Sequence, residues 1–426
     1  MQRLSEDLKF RGLLHQVTDP RVLERLDRGG VTFYAGFDPT APSLHVGNLL
    51  QLCTMKRLQL YGNRPIIVAG GATALIGDPG GKSGERALQS SADVGDNLER
   101  VVPQLEKFLD FSAGAGPSKA VLLNNAQWLG EMCVVEFLRD VGKHFTVNQM
   151  VSKESVRARF ERLDQGISYT EFSYMLLQAY DFLRLFQDHG CELQIGGSDQ
   201  WGNITVGVDL IRKFSGDAFG LTTPLVTKSD GTKFGKTEDG SVWLDPSRTT
   251  PYRLYQFFLN SDDDVVGKYL RYFTFLPNEE IASLDAETDL HPERRSAARA
   301  LAREVCSLVH GDDETARAQR ISDVLFGGDI STLSEDELLD ALSTAPSSDI
   351  SKSSLTVGIP LVDLVASSGL VRSKADARRA IDQGGLRVNG EKVDRSDALV
   401  TQLDLMYGKY LILRKGKRSY HVVAAR

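Results

Sequence analysis

Two lysines near the middle of the chain are placed where cations can meet a phosphate group. Lys233 and Lys236 lie three residues apart in a segment rich in Gly, Ser, Asp and Thr, and Thr237 follows directly. This composition predicts a loop, and its glycines permit movement. Two cations on a mobile loop can close on a pyrophosphate as negative charge develops during phosphoryl transfer. A solvated basic loop is the alternative interpretation of this segment taken alone.

A second candidate for phosphate binding lies in residues 38–48, which follow an apolar, strand-like run. We expect a helix to begin there, at Val46 or Gly47. The first turn of a helix exposes unpaired N–H groups and the positive end of the helix dipole, which suit a phosphate. His45 and Thr40 can donate hydrogen bonds to phosphoryl oxygens, and Gly47 lets a nucleotide approach the backbone closely. A loop histidine without a chemical role is the alternative.

The glycine-rich turn from Gly77 to Ser83 invites comparison with a phosphate-binding P-loop. A Walker motif requires a glycine five residues before Gly81, and position 76 is an isoleucine. The spacing therefore excludes a P-loop here.

A helix predicted over residues 170–187 carries a polar stripe. Tyr174, Gln178 and Asp181 lie at positions i, i+4 and i+7, which share one face. Apolar side chains lie beside them, so the stripe is either an exposed polar surface or a set of groups that bind a ligand. Tyr34, on the first predicted strand, is a candidate partner for Asp181.

Short β-rich segments must position these groups. The segments are residues 31–37, 65–70, 119–123, 191–196 and 222–227. Because amphipathic helical stretches separate them, they predict an α/β fold with a parallel sheet, which binds ligands at the carboxyl ends of its strands. The groups that follow the five segments, in order, are Asp38, residues 71–78, Asn124, Asp199 and the lysine loop.

The length of 426 residues predicts two to four domains. We expect a Rossmann-like catalytic domain over residues 1–247, with a long insertion over about 126–160. Strand signals then fade, and residues 248–341 are predicted to form an α-helical domain. Residues 342–354, rich in Ser and Ala, are predicted to be a linker, and residues 355–426 a small α+β domain.

The last predicted domain has a compact and basic pattern. Ser373 is a good helix N-cap with Asp376 three residues on, and Asn389-Gly390 is a strong hairpin signal. Residues 355–426 carry a net charge of +6, whereas the rest of the chain carries −13. A basic module on an acidic body predicts contact with a polyanion, with a solvated charged surface as the alternative.

The composition argues against several other classes of protein. The chain is 41% hydrophobic and 25% charged, as globular proteins are, and has no apolar run long enough for a membrane helix. Its four cysteines and seven histidines lack metal-ligand spacing, so we expect neither structural zinc nor disulfides. The amino terminus shows no apolar signal core, which predicts a cytoplasmic protein.

Residues 38–48 and the sequence Lys233-Phe234-Gly235-Lys236-Thr237 together resemble the two ATP-handling motifs of class I aminoacyl-tRNA synthetases. The lysine motif resembles the form found in the tyrosine member, and the resemblance to the bacterial-type tyrosyl-tRNA synthetase family extends over nearly the whole chain. Asn48 replaces the second histidine of the family pattern His-x-Gly-His and can still hydrogen-bond a ribose or a phosphate. The resemblance also implies that the helical domain binds the anticodon and that the basic domain is an S-four-like RNA-binding domain.

The resemblance implies a role for each candidate residue. The residues implied in catalysis are Thr40, His45, Lys82, Arg86, Lys233, Lys236 and Thr237. Those implied in tyrosine binding are Tyr34, Asp78, Tyr174, Gln178, Asp181 and Gln200. Those implied in ATP binding are Gly36, Asp38, Gly47, Asn48, Gly197 and Asp199. Those implied in RNA binding are Arg372, Lys374, Arg378 and Arg379.

The implied reaction has two steps. The carboxylate of L-tyrosine attacks the α-phosphorus of ATP to form tyrosyl-adenylate and pyrophosphate, and a terminal ribose hydroxyl of tRNA(Tyr) then attacks the adenylate. Positioning and charge stabilisation would supply the catalysis. ATP would be a substrate accompanied by Mg²⁺, with no tightly bound cofactor and no protein metal site. In this family the insertion over residues 126–160 helps to form a homodimer.

Three alternatives stay open. A tryptophan enzyme shares the fold and the ATP motifs, but an indole gives Asp181 no phenol partner. An RNA-binding descendant of a synthetase would keep the shape without the activity, which the intact Lys233, Lys236 and Asp199 argue against. A nucleotidyltransferase that acts on another carboxylate would not need the helical and RNA-type domains.

Overall fold

The computed structural model describes most of the chain. The described residues are 3–78, 88–153, 156–157, 166–232, 234–237, 240–343, 345–416 and 419–426, with the backbone alone described at Lys236, Thr237 and Phe326. The fold divides into two compact units. The first comprises the residues up to Thr249 together with Phe258–Val309, and the second comprises Thr250–Phe257 together with His310–Arg426.

A six-stranded sheet forms the centre of the first unit. Its strands are β1 (Gln16–Val17), β2 (Thr32–Phe37), β3 (Arg64–Ala69), β4 (Val121–Asn124), β5 (Leu193–Gly197) and β6 (Phe219–Thr223), in the spatial order β1-β6-β5-β2-β3-β4. All neighbours are parallel except β1 and β6. The chain runs from β2 outward to β4 and returns to β5 on the other side of β2. The strand order therefore reverses between β2 and β5, which is where parallel sheets bind ligands.

Four of the five predicted strands are confirmed to within two residues at each end. The fifth, predicted over residues 222–227, is wrong in position because β6 covers Phe219–Thr223. Pro224 follows its last residue and has no N–H for a sheet hydrogen bond. The antiparallel β1 is not predicted at all, since two residues are too few to show a periodic pattern.

Helices form most of the connections. They are α1 (Leu4–Phe10), α2 (Arg21–Arg28), α3 (Val46–Leu60), α4 (Thr73–Ile76), α5 (Ser91–Glu106), α6 (Ala126–Leu129), α7 (Val134–Glu136), α8 (Val147–Val151), α9 (Tyr169–His189), α10 (Trp201–Lys213), α11 (Pro251–Leu259), α12 (Asp263–Phe273), α13 (Asn278–Leu290) and α14 (Ser296–His310). The division between the units falls within α11 and α14. No helix of the described ranges is long and apolar enough to cross a membrane.

The two helices that carry predicted site residues have clear sequence boundaries. Helix α3 begins at Val46, as predicted. Helix α9 contains the predicted range and starts after Ser168, whose Oγ accepts a hydrogen bond from the Glu171 N–H at 3.3 Å. Gly190 ends α9 in the left-handed conformation, with φ of 62°. Along this helix Phe182 is fully buried against the sheet, in one cluster with Tyr34 of β2.

A buried charge cluster joins α1, α3 and the end of α12. Asp7 accepts hydrogen bonds from Arg11 at 2.8 Å and from Arg57 at 2.9 Å. Both guanidinium groups also donate to the carbonyl oxygen of Thr274, at 3.0 and 2.7 Å. Cations are favourable at the carboxyl end of a helix. These contacts explain why α12 belongs to the first unit, although the sequence predicts a separate helical domain over residues 248–341.

The second unit contains a five-stranded sheet. Its helices after α14 are α15 (Asp312–Gly327), α16 (Glu335–Ala341), α17 (Ser354–Val357), α18 (Leu361–Ser367) and α19 (Lys374–Asp382). In the first unit, β7 (Lys236–Thr237), in the lysine motif, pairs antiparallel with β8 (Gly240–Ser241). The strands of the second unit are β9 (Ser347–Ile350), β10 (Ile359–Pro360), β11 (Leu386–Val388), β12 (Glu391–Lys392), β13 (Leu399–Val400), β14 (Tyr410–Lys415) and β15 (Ser419–Ala425). The five-stranded sheet has the order β12-β11-β14-β15-β9.

Local signals in the second unit are confirmed, whereas the predicted linker is partly wrong. The Ser373 Oγ accepts a hydrogen bond from the Asp376 N–H at 3.2 Å. Asn389 and Gly390, with φ of 49° and 86°, form the turn between β11 and β12. Residues 342–354, predicted as a linker, contain β9, which pairs with β15 in parallel. A short serine-rich strand at a sheet edge has no apolar pattern by which the sequence could reveal it.

Candidate active site

A cavity of about 430 Å³ opens at the carboxyl ends of β2 and β5, where the strand order reverses. It collects predicted residues from the strand ends, the start of α3 and one face of α9. Those that line it are Tyr34, Gly36, Asp38, Thr40, His45, Gly47, Asn48, Asp78, Tyr174, Gln178, Asp181, Gly197, Asp199 and Gln200. Its position and polar lining are those of a ligand site in an α/β protein.

The cationic candidates are only partly described. Lys82, Arg86 and Lys233 lie outside the described residues. Lys236 and Thr237 form β7, and of these two only the backbone is described. The structure therefore gives the path of the lysine motif from residue 234 onward and leaves the roles of its cations as predictions.

The backbone of the lysine motif is linked to the start of α3 through Val242. The Val242 N–H donates to the Gly235 carbonyl oxygen at 3.0 Å, and the Val46 N–H donates to the Val242 carbonyl oxygen at 3.0 Å. Gly235 has φ of 82°, and a Cβ on it would lie 2.6 Å from Val46 Cγ2. The two motifs that the sequence analysis pairs are therefore direct neighbours in space.

The start of α3 assigns distinct structural tasks to three predicted residues. The Asn48 Oδ1 accepts a hydrogen bond from the His45 backbone N–H at 3.1 Å, so Asn48 caps the helix. A Cβ on Gly47 would lie 2.7 Å from the His45 ring, so Gly47 makes room for the imidazole. His45, Gly47 and Asn48 line the cavity at this helix start, where the positive end of the helix dipole favours a phosphate.

Asp181 is a buried carboxylate held by two donors. It is 4% exposed, and it accepts hydrogen bonds from Asn125 Nδ2 at 3.0 Å and from Trp128 Nε1 at 2.7 Å. Burial raises the pKa of the Asp181 carboxyl to about 7, even though both hydrogen bonds act to lower it. A carboxylate has lone pairs for about four hydrogen bonds, so Asp181 can accept from a further donor in the cavity.

Tyr34 is buried on β2 with an unsatisfied hydroxyl. Its Oη has no hydrogen-bond partner among the described residues, although Tyr34 is only 1% exposed. Its ring packs against Phe182, with the ring centres 5.2 Å apart. Burial, and then the charge of Asp181, raises the pKa of this phenol well above its usual value. Tyr34 and Asp181 line the same cavity, where a polar ligand atom could complete the hydrogen bonding of the phenol.

Asp38 connects α9 with the turn after β3. Tyr174 Oη donates to Asp38 Oδ2 at 2.8 Å, and Thr73 Oγ1 donates to Asp38 Oδ1 at 2.7 Å. Asn125 Nδ2 donates to Thr73 Oγ1 at 3.0 Å. Burial raises the pKa of Tyr174, so its phenol stays protonated and keeps donating. One hydrogen-bonded chain thus runs from Tyr174 through Asp38, Thr73 and Asn125 to Asp181.

A second polar cluster joins Asp78, Gln178 and Gln200. Gln200 Nε2 donates to Asp78 Oδ2 at 2.5 Å, and Gln178 Nε2 donates to Gln200 Oε1 at 3.3 Å. Asn203 Nδ2 donates to Gln178 Oε1 at 3.1 Å. These bonds fix carboxylate and carbonyl oxygens at the cavity wall, and such acceptors suit a cationic ligand group.

Glycine backbone forms another part of the wall. A Cβ on Gly36 would meet nothing within 4 Å, so the space beside β2 is open. A Cβ on Gly197 would lie 2.5 Å from Asp199 Oδ1, so this glycine makes room for the carboxylate. A flat ligand can lie against this backbone while Asp199 accepts hydrogen bonds from its hydroxyl groups.

Several residues that line this wall, or hydrogen-bond to it, are not identified from the sequence. They are Thr73, Asn125, Trp128 and Gln194. Asn125 directly follows Asn124, which the sequence pattern places at the end of the third predicted strand. The pattern therefore points to the correct strand end but to the neighbouring residue. Gln194 lies opposite Tyr34 in the register of β2 and β5, and its buried Oε1 has no partner among the described residues. Trp128 gives no signal, since an indole after a strand usually indicates core packing.

The predicted RNA-binding cations lie on α19 or just before it, in the second unit. Lys374 and Arg379 form ion pairs with neighbouring aspartates. Arg372 and Arg378 are exposed and form no ion pair within the described ranges of the chain. These two guanidinium groups are therefore available to an external anion.

Two models of known protein families match this chain. The family model described as tRNA synthetases class I (W and Y) matches residues 27–327. The model described as the tyrosine–tRNA ligase SYY-like C-terminal domain matches residues 337–423. The predicted α/β fold class with a separate carboxyl-terminal domain is thereby confirmed.

Relatives match over nearly the full length. The tyrosine–tRNA ligase of Roseiflexus castenholzii is 52% identical over 425 residues, covering 99% of each chain. That of Opitutus terrae is 52% identical over 421 residues, covering 98% of each. The structure of a C-terminally truncated mitochondrial tyrosyl-tRNA synthetase from Aspergillus nidulans is 35% identical with a TM-score of 0.69, covering 76% of this chain and 95% of that one. This chain therefore belongs to the bacterial-type tyrosine–tRNA ligase family of class I aminoacyl-tRNA synthetases.

Proposed function

We propose that this protein joins L-tyrosine to the 3′-terminal ribose of tRNA(Tyr). In the first step the cavity activates tyrosine with ATP, forming tyrosyl-adenylate and releasing pyrophosphate. In the second step a ribose hydroxyl of the tRNA attacks the adenylate. The observation that carries this proposal is the unsatisfied buried hydroxyl of Tyr34 in the same cavity as the buried carboxylate of Asp181.

A tyrosine side chain would satisfy both groups at once. Its phenol O–H would donate to Asp181, and its oxygen would accept from the Tyr34 hydroxyl. Phenylalanine would leave both groups without this partner, and an unsatisfied buried polar group costs about 1–3 kcal/mol. The site would thus reject phenylalanine through lost hydrogen bonds, since the smaller ring also fits the space.

The ammonium group of the substrate would meet three oxygen acceptors. They are the Asp78 carboxylate, the Gln178 Oε1 atom and the phenol oxygen of Tyr174. The Tyr174 proton is committed to Asp38, so its oxygen presents lone pairs to the cavity. Gln200 holds Asp78 at 2.5 Å and would lie near the substrate carboxylate.

ATP would lie against the open backbone of Gly36 and Gly197, with its ribose hydroxyls donating to Asp199. Thr40 and His45 would donate to phosphoryl oxygens beside the start of α3. In this arrangement a carboxylate oxygen of tyrosine attacks the α-phosphorus while the bond from that phosphorus to pyrophosphate breaks. No protein nucleophile takes part, and the rate comes from positioning and from stabilisation of the departing charge.

The remaining cations would hold the pyrophosphate. They are Lys82, Arg86, Lys233 and Lys236, with Thr237 as a hydroxyl donor. The family pattern supports this assignment, and so does the backbone link between the lysine motif and α3. Mg²⁺ would enter with ATP and neutralise phosphate charge. We propose no dedicated protein site for it, because Mg²⁺ usually keeps several waters and is bound together with the phosphates of the substrate.

The tRNA would be held by the helical region and by the carboxyl-terminal domain. We propose the domain order of the sequence prediction, namely catalytic, anticodon-binding and S-four-like, with the last domain starting at β9. Arg372 and Arg378 would contact phosphates, with Lys374 and Arg379 beside them. Binding carried by such contacts weakens with added salt, because released counterions drive it.

A homodimer is proposed from the insertion over residues 126–160. Its described part exposes Val134, Val135 and Val147 to more than 60% each, at 69%, 65% and 64%. Several exposed large apolar side chains within one segment favour an interaction surface there. We also propose that the enzyme works in the cytoplasm, where tRNA, ATP and ribosomes meet in bacteria.

The test is ATP–pyrophosphate exchange by the purified full chain with Mg²⁺, comparing tyrosine, phenylalanine and tryptophan. Exchange with tyrosine alone is the expected result and would establish the first step and its specificity together. Exchange with tryptophan would instead favour the sibling enzyme. A folded protein that gives no exchange with any of the three would leave an RNA-binding descendant, or a nucleotidyltransferase with another carboxylate substrate, as the better account.

A further inference from the structure

Phe234 stands between the two lysines of the motif, and its side chain is enclosed by aromatic rings. It is 8% exposed. Its ring centre lies 5.0 Å from that of Tyr269, 5.4 Å from that of Phe273 and 6.1 Å from that of Phe258. The contact with Phe273 is stacked, with 16° between the planes. We name Phe258, Tyr269 and Phe273 the aromatic box.

The aromatic box is a rigid receptor for this side chain. Tyr269 and Phe273 are four residues apart on α12, so they share one face of the helix. The Phe273 ring also contacts Phe258, with ring centres 5.7 Å apart. Phe258 and Phe273 are 0% exposed and Tyr269 is 3% exposed. Aromatic pairs in this range of separation contribute about 0.5–1.5 kcal/mol each beyond the burial of their area.

Helix α12 and the residue before it hold the segment ahead of Phe234 at two more points. Tyr269 Oη donates to the Thr227 carbonyl oxygen at 2.8 Å. Ser229 Oγ donates to Asp262, the residue that precedes α12. These contacts tie Thr227, Ser229 and Phe234 to α12 and to the residue before it.

Phe234 is connected to the start of α3 through the backbone of its neighbour Gly235. Gly235 comes next in the chain, and its carbonyl oxygen accepts from the Val242 N–H, whose own carbonyl accepts from the Val46 N–H. A Cβ on Gly235 would lie 2.6 Å from Val46 Cγ2, so the backbone has little room to shift. A displaced Phe234 would therefore move the motif relative to the helix start that lines the ligand cavity.

We infer that the aromatic box positions the lysine motif for adenylate formation. Phe258, Tyr269 and Phe273 are positioning residues that act through Phe234 and touch no substrate. The inference rests on the proposed function, because it concerns the placement of Lys233 and Lys236 on pyrophosphate. A misplacement of about 1 Å at a reacting centre can cost about 100-fold in rate. A loss of the box should therefore lower kcat and leave tyrosine binding intact.

The test compares Phe234→Ala and Phe234→Leu with the wild-type chain in ATP–pyrophosphate exchange, with the dissociation constant of tyrosine measured by equilibrium dialysis. We expect Phe234→Ala to lower kcat about 10- to 100-fold with an unchanged dissociation constant for tyrosine. Phe234→Leu, which still fills the box, should recover most of the rate. A purely structural role would lower both kcat and the affinity for tyrosine, whereas a positioning role lowers kcat alone.

Tyr269→Phe and Tyr272→Phe form a matched pair on α12. The first removes only the hydroxyl that donates to Thr227, and it should lower kcat by less than Phe234→Ala does. The second removes a hydroxyl three residues further on and should leave kcat unchanged. If Phe234→Ala does not fold, the comparison of Tyr269→Phe with Tyr272→Phe still decides.

An unchanged kcat in Phe234→Ala would overturn the inference, and so would an equal loss of rate and tyrosine affinity. If Phe234→Ala cannot be measured, equal values of kcat in Tyr269→Phe and Tyr272→Phe would overturn the inference. Failure of the wild-type chain to support exchange would count against the proposed function instead, so the two ideas fail in different experiments.

Discussion

Asn125 Nδ2 lies 3.0 Å from Asp181 Oδ2 and also donates to Thr73, which in turn donates to Asp38. The carboxylate proposed to meet the tyrosine phenol and the carboxylate on the proposed ATP side therefore belong to one hydrogen-bonded chain. Networks of this kind strengthen one another in a low-dielectric interior, and a change at one end alters the other. The two substrates would meet a single preorganised wall.

Removal of the phenol-binding groups should relax the selection against phenylalanine. Asp181→Ala should reduce the preference for tyrosine by about 10- to 100-fold, since a hydrogen bond to a charged group contributes about 1.5–3 kcal/mol. Tyr34→Phe should reduce it by about tenfold, as expected for a neutral hydrogen bond. The ratio of kcat/KM for tyrosine and phenylalanine in exchange checks both. Tyr180→Phe, next to Asp181 on α9 and not part of the cavity lining, is the control, and an unchanged ratio in Asp181→Ala would remove Asp181 from this role.

The tyrosine KM should rise as the pH falls below about 7. Burial raises the pKa of the Asp181 carboxyl to about 7, so the form that accepts a phenol proton disappears below that value. The KM should increase about tenfold per pH unit on the acid side and level off above it. Asp181→Asn cannot titrate and should show a flat profile. A wild-type profile equally flat from pH 5 to 8 would contradict this account.

The same pKa shift has a consequence for stability with a definite sign. The folded chain binds a proton at Asp181 more tightly than an ordinary carboxyl does, because the folded pKa is raised from 3.8 to about 7. Between those two values the folded state therefore carries more protons than the unfolded state, so this group lowers the free energy of unfolding as the pH rises. Asp181→Asn should remove that slope in denaturant titrations.

Gly47→Ala should impair the handling of phosphate. A methyl group at this position would lie 2.7 Å from the His45 ring, so the imidazole has to move. We expect kcat in exchange to fall about tenfold or more with tyrosine affinity unchanged. Gly95→Ala on α5, where the added Cβ meets nothing within 4 Å, is the matched control and should keep the wild-type rate. A similar rate in both variants would show that the ring position is not critical.

Arg372→Ala and Arg378→Ala should weaken tRNA binding in a salt-dependent way. Each lost phosphate contact should reduce the slope of log affinity against log salt by about 1. Filter binding of tRNA(Tyr) at several salt concentrations measures this slope. Arg395→Ala, which removes an arginine already paired with Asp397 in the same unit, serves as the control. Equal slopes in all three variants would place the tRNA elsewhere.

The sequence predicted the parts of this site that local rules determine. A strand end followed by Asp38, the polar stripe of α9 and the N-cap at Ser373 each depend on neighbours within a few residues, and the structure has them where the pattern indicates. The reversal of strand order then collects the strand ends in one cavity. Periodicity and turn chemistry are sufficient for that much.

The remaining parts depend on contacts between distant residues. Trp128 donates a hydrogen bond to Asp181, which follows it by 53 positions in the sequence. Nothing in the residues around Trp128 indicates this bond. Phe234 is surrounded by residues that follow it by more than 20 positions, so its aromatic neighbours are visible only in three dimensions. The sequence does not predict strand β9 for a related reason, because its position at the sheet edge leaves it without an apolar pattern.

The three tryptophans of the chain give the site an optical property. Trp128 shares a hydrogen bond with the carboxylate proposed to receive the phenol, and the Trp243 ring centre lies 6.2 Å from that of His45, which lines the phosphate side. Trp201 follows Gln200 at the start of α10. Indole emission responds to nearby charge and polarity, so the arrival of each substrate would be recorded by a different fluorophore. The emission of the unlabelled protein would thus follow substrate binding in time, and single Trp→Phe variants would assign each change to one indole.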